Sequence, residues 1–227
     1  VLVCRPLGHH STANTQVGFC LYKNIAVTAK ALAERGERVA IVDIDAHHGN
    51  GTQDIFYADP DVLFVSLHQF PWYPFSGRPE ECGQGAGLGA TVNVPLPAGA
   101  TGEIYRRALD TVIRPVVERF GPTWVLVSAG FDGHRNDPLT DLGLTSADYA
   151  DLIADILPYA PPGKRILFLE GGYDMRALAD CAGAVAATVL DEQYRPEIPT
   201  SGGPGVEHVE LARKIHVEQG ADGVYPE

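Results

Sequence analysis

The most informative stretch of this chain is Val42-Asp43-Ile44-Asp45-Ala46-His47-His48-Gly49-Asn50-Gly51-Thr52. The apolar run immediately before Asp43 predicts a buried strand. Burial of the ionised groups that follow it is costly unless an opposite charge compensates, and a divalent metal ion supplies that charge. Because side chains alternate along an extended chain, Asp43, Asp45 and His47 lie on one side and can converge. A solvated surface turn is the alternative, because Gly49-Asn50-Gly51 is typical of turns.

Composition places the chain among ordinary globular proteins. It has 227 residues, 45% of them hydrophobic and 20% charged, which is enough for one large domain. The formal net charge of -12 argues against direct nucleic-acid binding and against binding to an anionic membrane surface. The longest apolar runs are too short to span a bilayer. The four cysteines form no Cys-x-x-Cys pair, which favours a reducing cytoplasmic location.

Strands and helices alternate along the chain. Residues 17–36 have helical spacing of apolar residues, and residues 39–43 follow as a strand. Further buried strands are predicted at residues 61–67, 124–128 and 166–169. Further helices are predicted at residues 104–120, with a bend at Pro115, and at residues 145–159 and 177–190. This alternation predicts an α/β fold with an open, mainly parallel sheet and flanking helices.

Three segments fall outside this pattern. Residues 1–3 resemble the end of a strand already under way, so we expect an N-terminal piece to precede Val1. Residues 69–102 form a long insert rich in Gly and Pro, and loops of that length are usually functional. We therefore predict a domain over residues 1–190 and a linker with a C-terminal tail segment over residues 191–227.

Unusual polar residues follow the predicted strands. Ligands of open parallel sheets bind beyond the carboxyl ends of the strands, so the polar clusters predict one site there. Each cluster also has a purely structural interpretation: His68 as a satisfied buried histidine, which we favour, and Asp132 and Asp137 as caps of turns or of the next helix. The clusters are His9-His10, residues 43–50, His68, residues 132–137 and Tyr173.

Six ordered blocks of this sequence resemble the signature blocks of the zinc-dependent histone deacetylase family, and Asn50 in the Gly49-Asn50-Gly51 position resembles its class II and bacterial acetylpolyamine amidohydrolase branches. The resemblance implies an open α/β sheet of the arginase–deacetylase type and a domain that begins well before the double histidine. The blocks are Arg5-Pro6-Leu7-Gly8-His9-His10, residues 43–52, Val65-Ser66-Leu67-His68, Asn93-Val94-Pro95-Leu96-Pro97, Ser128-Ala129-Gly130-Phe131-Asp132 with Asp137-Pro138, and Glu170-Gly171-Gly172-Tyr173.

The resemblance implies a catalytic site in which zinc hydrolyses an N-acetyl amide. The implied zinc ligands are Asp45, His47 and Asp137, a set that leaves positions open for water and a substrate carbonyl. The implied acid–base pair is His9, backed by Asp43, and His10, backed by Asn50. The implied donor to the tetrahedral oxyanion is the hydroxyl of Tyr173.

The resemblance also implies a channel and structural cations. Phe19 and Tyr73 match the walls of a narrow acyl-lysine channel, and Gly18 and Gly172 allow close backbone approach. Packing of Phe19 in the core at a helix start is the alternative. Structural K⁺ is implied as well, because oxygen-only ligand sets suit hard cations. The first implied potassium site comprises Asp43, Asp45, His47, Ser66 and Leu67, and the second comprises Phe56, Asp59 and Val62.

The sequence departs from the family pattern in three places. Leu7 stands where proline is commoner, and Pro74-Phe75-Ser76-Gly77 replaces the usual Pro-Gly-Thr-Gly at the channel mouth. The loop that supplies a substrate-orienting acidic residue in the family would lie before Val1. The change at Leu7 is minor, whereas the replacement at residues 74–77 implies a different channel mouth and a match of Tyr73 that can shift by one residue.

Two other functions stay open. An arginase-type hydrolase with two manganese ions would use Asp43, Asp45, His47, Asp132 and Asp137, but it leaves the double histidine without a role. A domain of the same fold could instead bind acyl ligands, or act as a scaffold, without turnover. For the enzyme, acetyl-lysine in proteins, acetylpolyamines and other small acetylated amines remain alternative substrates, and homo-oligomerisation stays open.

Overall fold

A five-stranded parallel sheet forms the centre of the molecule. The computed structural model describes residues 7–219, so the predicted strand at residues 1–3 and the motif residues Arg5 and Pro6 lie outside the described residues. The strands are β1 (Val39–Asp43), β2 (Val62–Gln69), β3 (Thr91–Leu96), β4 (Trp124–Ala129) and β5 (Arg165–Leu169). Their order is β3-β2-β1-β4-β5, and every neighbouring pair is parallel. The predicted open α/β sheet is confirmed.

Helices cover both faces of the sheet. Alternate residues of β1 explain this, because Ala40 and Val42 enter one apolar cluster while Val39 and Ile41 enter the other. A strand buried on both faces is apolar throughout, as parallel strands usually are. The α-helices of residues 7–219 are α1 (Asn24–Ala33), α2 (Asn50–Phe56), α3 (Gly102–Ala108), α4 (Arg114–Phe120), α5 (Ser146–Ile156), α6 (Met175–Val189) and α7 (Val206–Arg213).

The first helix is shorter than the apolar spacing predicts. A helix over residues 17–36 was expected, but α1 begins only at Asn24. The backbone of Gly18 and Phe19 has φ values of 59° and 60°, in the left-handed region that a right-handed helix cannot contain. Cys20 then forms a parallel bridge with Leu7. Phe19 therefore belongs to a loop, and its 75% exposure excludes the alternative of core packing at a helix start.

The long insert at residues 69–102 contains a strand that its Gly- and Pro-rich composition does not predict. β3 lies within the segment predicted as loop, and it pairs with β2 at the edge of the sheet. Pro95 lies inside β3, and a residue without an N–H group is tolerated at an edge strand because one side needs no donor. The edge position therefore reconciles the proline with a strand.

The helix predicted to bend at Pro115 is interrupted immediately before that residue. A π-helical turn, Leu109–Ile113, separates α3 from α4, in which Pro115 is the second residue. Proline cannot donate the backbone hydrogen bond that a continuous α-helix requires there, which explains the local widening.

The segment predicted as linker and tail packs on the rest of the domain as far as residue 219. Val209 and Ala212 of α7 are fully buried in the larger apolar cluster. Thr200 donates its backbone N–H to the Asp148 carboxylate at 3.0 Å and accepts the Gly102 N–H at 2.8 Å. Residues 220–227 lie outside the described part of the chain.

Strand order places a crevice at β1. From β1 the sheet extends through β2 to β3 on one side and through β4 to β5 on the other. The connections that leave β1 and β4 at their carboxyl ends therefore run in opposite directions, which opens a crevice between these two strands. Ligands of doubly wound sheets bind at this point, beyond the carboxyl ends of the strands. Within residues 7–219, none of the helices combines the length and apolar character needed to cross a bilayer.

Candidate active site

The loops after β1, β4 and β5 meet through hydrogen bonds to two buried carboxylates. Asp45 Oδ2 accepts the Gly171 N–H at 2.7 Å, and Asp132 Oδ1 accepts the Ala46 N–H at 2.9 Å. The loops approach so closely that a Cβ on Gly130 would lie 2.0 Å from Asp45 Oδ2, and one on Gly171 2.1 Å from Asp132 Oδ2. Glycine is therefore required at both positions.

Three buried side chains present potential metal ligands to one another. Asp45, His47 and Asp132 each offer one ligand atom, and these atoms lie within 4.8 Å of one another. His47 Nδ1 is 2.9 Å from Asp132 Oδ2 and 3.3 Å from Asp45 Oδ1. Two carboxylates and an imidazole with this spacing fit a zinc ion that retains an open coordination position.

The electrostatics of this cluster favour a cation. Burial, followed by the charge of Asp45, raises the pKa of Asp132 to about 6. Burial alone would lower the pKa of His47, but hydrogen bonds to Asp132 and Asp45 raise it to about 10. The two carboxylates therefore repel each other and attract positive charge, and a bound divalent ion would relieve this repulsion.

Asp137 lies at the same carboxyl edge of the sheet, and its carboxylate accepts hydrogen bonds from backbone N–H groups. Its Oδ2 accepts the N–H groups of Tyr173 at 2.7 Å and Asp174 at 3.3 Å, and its Oδ1 accepts the Leu139 N–H at 3.0 Å. Asp137 as the third zinc ligand stays a prediction. Asp132, which sequence reasoning assigned only to the arginase-type alternative, is the carboxylate that lies closest to His47 in the cluster.

The two predicted acid–base histidines lie side by side with their rings tilted by 41°, and each is held by its predicted partner. The ring centroids of His9 and His10 are 4.1 Å apart, and both residues are buried. His9 Nδ1 lies 3.0 Å from Asp43 Oδ2, and His10 Nδ1 lies 2.8 Å from Asn50 Oδ1. The ring of His10 is 6.0 Å from that of His47. The structure thus brings the pair and the potential metal ligands into one site.

The environments of the two histidines separate their pKa values. Burial alone would lower the pKa of His9, but the charges of Asp45, Asp43 and Glu170 raise it well above the ordinary value. Burial, followed by the charge of His9, lowers the pKa of His10 to about 3. The two pKa values are therefore pushed in opposite directions, toward the charged form for His9 and toward the neutral form for His10, which suits an acid and a base in the same site.

Glu170 is a residue of the site that sequence reasoning did not assign. Its carboxylate Oε2 accepts the N–H groups of Gly8 at 2.7 Å and His9 at 3.3 Å, and burial raises its pKa to about 7. It lies at the end of β5 and is almost fully buried. The signal available in the sequence was an acidic residue directly after an apolar strand, the same pattern that identified Asp43.

The predicted channel residues lie beside the site. The Phe19 and Tyr173 rings have centroids 6.3 Å apart, and the Tyr73 ring lies 5.3 Å from His10 and 6.2 Å from His47. A Cβ on Gly18 would lie 2.3 Å from His10 Cδ2, so this glycine permits a close approach. Gly172 has a φ of 129° and precedes Tyr173. Their roles in substrate binding stay predictions.

The implied potassium ligands are engaged by protein groups. Asp43 Oδ1 accepts the Asp45 N–H at 3.1 Å, and the Ser66 hydroxyl lies 2.9 Å from His68 Nδ1. The other ring nitrogen of His68 donates to the Gly77 carbonyl at 3.0 Å, so both nitrogens of this buried histidine have partners. The potassium sites stay predictions.

Comparison with known sequences identifies the family. Residues 1–189 match the profile of the histone deacetylase domain. This chain belongs to the histone deacetylase family. The family assignment agrees with the signature blocks of the sequence and favours the zinc-hydrolase interpretation over the arginase-type alternative.

Members of the family in several organisms resemble this chain. A probable deacetylase of Archaeoglobus fulgidus is 44% identical over 208 residues, which are 86% of this chain and 58% of that protein. Histone deacetylase 9 of Homo sapiens is 39% identical over 206 residues, 86% of this chain and 20% of that protein. The chain thus spans between about a fifth and three fifths of these two relatives.

A solved structure confirms the fold. The crystal structure of the HDA15 HD domain superposes with a TM-score of 0.85 at 37% identity, covering 94% of this chain and 60% of that one. The sheet therefore has the arginase–deacetylase architecture that the sequence resemblance implied.

Proposed function

We propose that this chain is a zinc-dependent amidohydrolase that removes acetyl groups from acylated amines. The observation that carries the proposal is the adjacent His9–His10 pair, held through both Nδ1 atoms, beside the ligand cluster of Asp45, His47 and Asp132. The family membership and the deacetylase names of the relatives support it. Zinc bound by Asp45, His47 and Asp132, the three potential ligands that converge in the structure, would supply Lewis-acid polarisation of the acyl carbonyl and acidify the attacking water. Asp137, which the resemblance implied, is the alternative third ligand.

The side chains of the site divide the remaining work. His10 is neutral near pH 7, and because its Nδ1–H donates to Asn50, its Nε2 lone pair can accept a proton from water. His9, whose pKa the neighbouring carboxylates raise, can donate its proton to the leaving amine, and the proton that His10 took from water then restores the pair. The Tyr173 hydroxyl would donate a hydrogen bond to the developing oxyanion. Phe19 and Tyr73 would line the path of the acyl-amine chain.

The substrate is an acyl group on a primary amine, carried by a protein lysine or by a small amine such as a polyamine. The experiment compares an acetyl-lysine reporter with an acetylated diamine in the wild type and in His10→Ala and Tyr173→Phe. We expect His10→Ala to lower kcat by about 10²–10⁴-fold, in the range of general acid–base catalysis. We expect Tyr173→Phe to lower it by about 10²–10³-fold, as for other oxyanion donors.

The same assay tests the alternative of an acyl-ligand-binding domain. A folded, zinc-loaded protein that binds the acetylated compounds but hydrolyses none of them would contradict the proposed enzyme and support that alternative. Structural potassium at Asp43 and Ser66 remains part of the proposal, and replacement of K⁺ by Na⁺ in a thermal-unfolding measurement tests it.

A further inference from the structure

Glu197, beyond the part of the chain that matches the family profile, reaches the loop between β4 and α5. Its Oε1 accepts a hydrogen bond from Arg135 Nη2 at 2.9 Å. Its Oε2 lies 2.9 Å from His134 Nε2 and accepts hydrogen bonds from the Ser146 N–H and hydroxyl, both at 2.9 Å. One carboxylate therefore joins this loop to the first turn of α5.

His134 transmits this contact to the turn that carries two site carboxylates. The residue is buried, and its Nδ1 accepts the Asn136 N–H at 3.2 Å. With Nδ1 as acceptor, the neutral ring carries its proton on Nε2, which donates to Glu197. The backbone of His134 closes the turn, since its N–H donates to the Phe131 carbonyl at 3.2 Å and its carbonyl accepts the Asp137 N–H at 2.8 Å.

We propose that Glu197 is a positioning residue of the metal site, acting through His134 on the turn between Asp132 and Asp137. The proposal rests on the proposed zinc function. It holds whether Asp132 or Asp137 supplies the third ligand, because the same turn carries both. The segment after residue 189 is then a working part of the site.

The contact requires a carboxylate. Donors from His134, Arg135 and Ser146 all point at Glu197, and a carboxylate offers acceptor sites on both oxygens. A glutamine has the same shape, but its NH₂ group would face at least one of these donors. Even when its carbonyl oxygen faces His134, the glutamine removes the negative charge of the acceptor, so Glu197→Gln weakens the hydrogen bond that orients His134 while changing little of the volume.

Zinc affinity of the full-length protein, measured by chelator competition, tests the proposal. The control is Thr200→Val, which removes the hydroxyl contact of the same segment with Asp148 at 2.7 Å but leaves the contact with His134 in place. We expect Glu197→Gln to weaken zinc binding by about 10–100-fold, the usual effect of removing a group that orients a metal ligand. We expect Thr200→Val to bind zinc as the wild type does. Circular dichroism and thermal unfolding of the zinc-free proteins measure the loss of fold separately.

The outcomes separate the proposal from a general loss of stability. Weaker zinc binding in Glu197→Gln alone, at temperatures where both variants are fully folded, supports it. Unchanged binding in Glu197→Gln, or equal losses in both variants, overturns it. A wild-type protein that binds no zinc would contradict the proposed function as well, whereas normal wild-type binding with normal Glu197→Gln binding contradicts the role of Glu197 alone.

Discussion

His10 Nδ1 lies 2.8 Å from the amide oxygen of Asn50, so the partner of this imidazole is uncharged. The ring of His10 also lies beside that of Tyr73. Its neighbour His9 instead lies 3.0 Å from the carboxylate of Asp43. An amide oxygen fixes the tautomer of His10 without stabilising its charged form as strongly as a carboxylate would. Burial, followed by the charge of His9, lowers the pKa of His10, and the amide of Asn50 opposes this lowering less than a carboxylate would.

Replacing Asn50 by Asp should raise the pKa of His10. A carboxylate at this distance favours the charged imidazole, typically by about 1–3 pKa units. The acidic limb of the pH profile of kcat/KM should therefore move to higher pH in Asn50→Asp. Asn50→Ala is the control, because it removes the hydrogen bond without adding charge and should lower the rate without that upward shift. An unmoved acidic limb in Asn50→Asp would argue against His10 as the base.

Removing the Glu170 carboxylate should misplace the histidine pair. In Glu170→Ala the buried N–H groups of Gly8 and His9 lose their acceptor, which costs about 1–3 kcal/mol of stability. Small displacements of catalytic groups reduce rates by about 10²-fold, so kcat should fall by that order with little change in KM. Glu170→Gln retains an acceptor and should recover part of the rate. Glu192→Gln, at an exposed position, is the control and should have the kcat of the wild type. An unchanged kcat in Glu170→Ala would contradict the positioning role of this carboxylate.

Asparagine variants of Asp132 and Asp137 distinguish the two candidate ligands. The convergent cluster predicts that Asp132→Asn weakens zinc binding more than Asp137→Asn does. Asp137→Asn would then act through the backbone at Tyr173 and lose at most about 10–100-fold in affinity. Calorimetric titration with zinc measures both. A larger loss in Asp137→Asn would assign the third ligand to Asp137, as the sequence resemblance implied.

Burial of His216 should make the protein less stable in mild acid. Burial, followed by the nearby charge of Arg119, lowers its pKa to about 4, although its hydrogen bond to the Asn93 carbonyl opposes the shift. Between about pH 6.5 and pH 4, the unfolded state therefore binds a proton at His216 that the folded state does not bind. The stability from neutral His216 is present above that pH and is lost as the pH falls toward 4, with a slope of up to about 1.4 kcal/mol per pH unit.

Urea unfolding between pH 7 and pH 4 measures this effect. His216→Gln keeps a donor for the Asn93 carbonyl but cannot titrate, so its stability should fall less steeply over this interval. His208→Gln, on the same segment but partly exposed, serves as the control and should follow the wild type. Identical slopes for the wild type and His216→Gln would show that His216 does not titrate in this range.

The sequence predicted the architecture well where apolar periodicity and polar strand ends coincide. β1 occurs as predicted, since a buried parallel strand has an unmistakable composition, and the polar residues that follow it lie together at its carboxyl end. β3 was missed because its Pro95 is typical of loops and only the edge position permits it. The start of α1 was wrong because the positive φ values of Gly18 and Phe19 depend on loop packing against His10. Glu197 could not be found at all, because its partners lie about 50 to 60 residues away along the chain.

The most direct test of the account is the hydrolysis of an acetyl-lysine reporter before chelation, after chelation and after zinc is returned, in the wild type and in Tyr173→Phe. We predict that the chelator abolishes wild-type hydrolysis, that one equivalent of zinc restores it, and that Tyr173→Phe binds zinc normally but stays slow throughout. Hydrolysis that survives complete removal of the metal, or that zinc restores equally in Tyr173→Phe, would contradict the proposed mechanism.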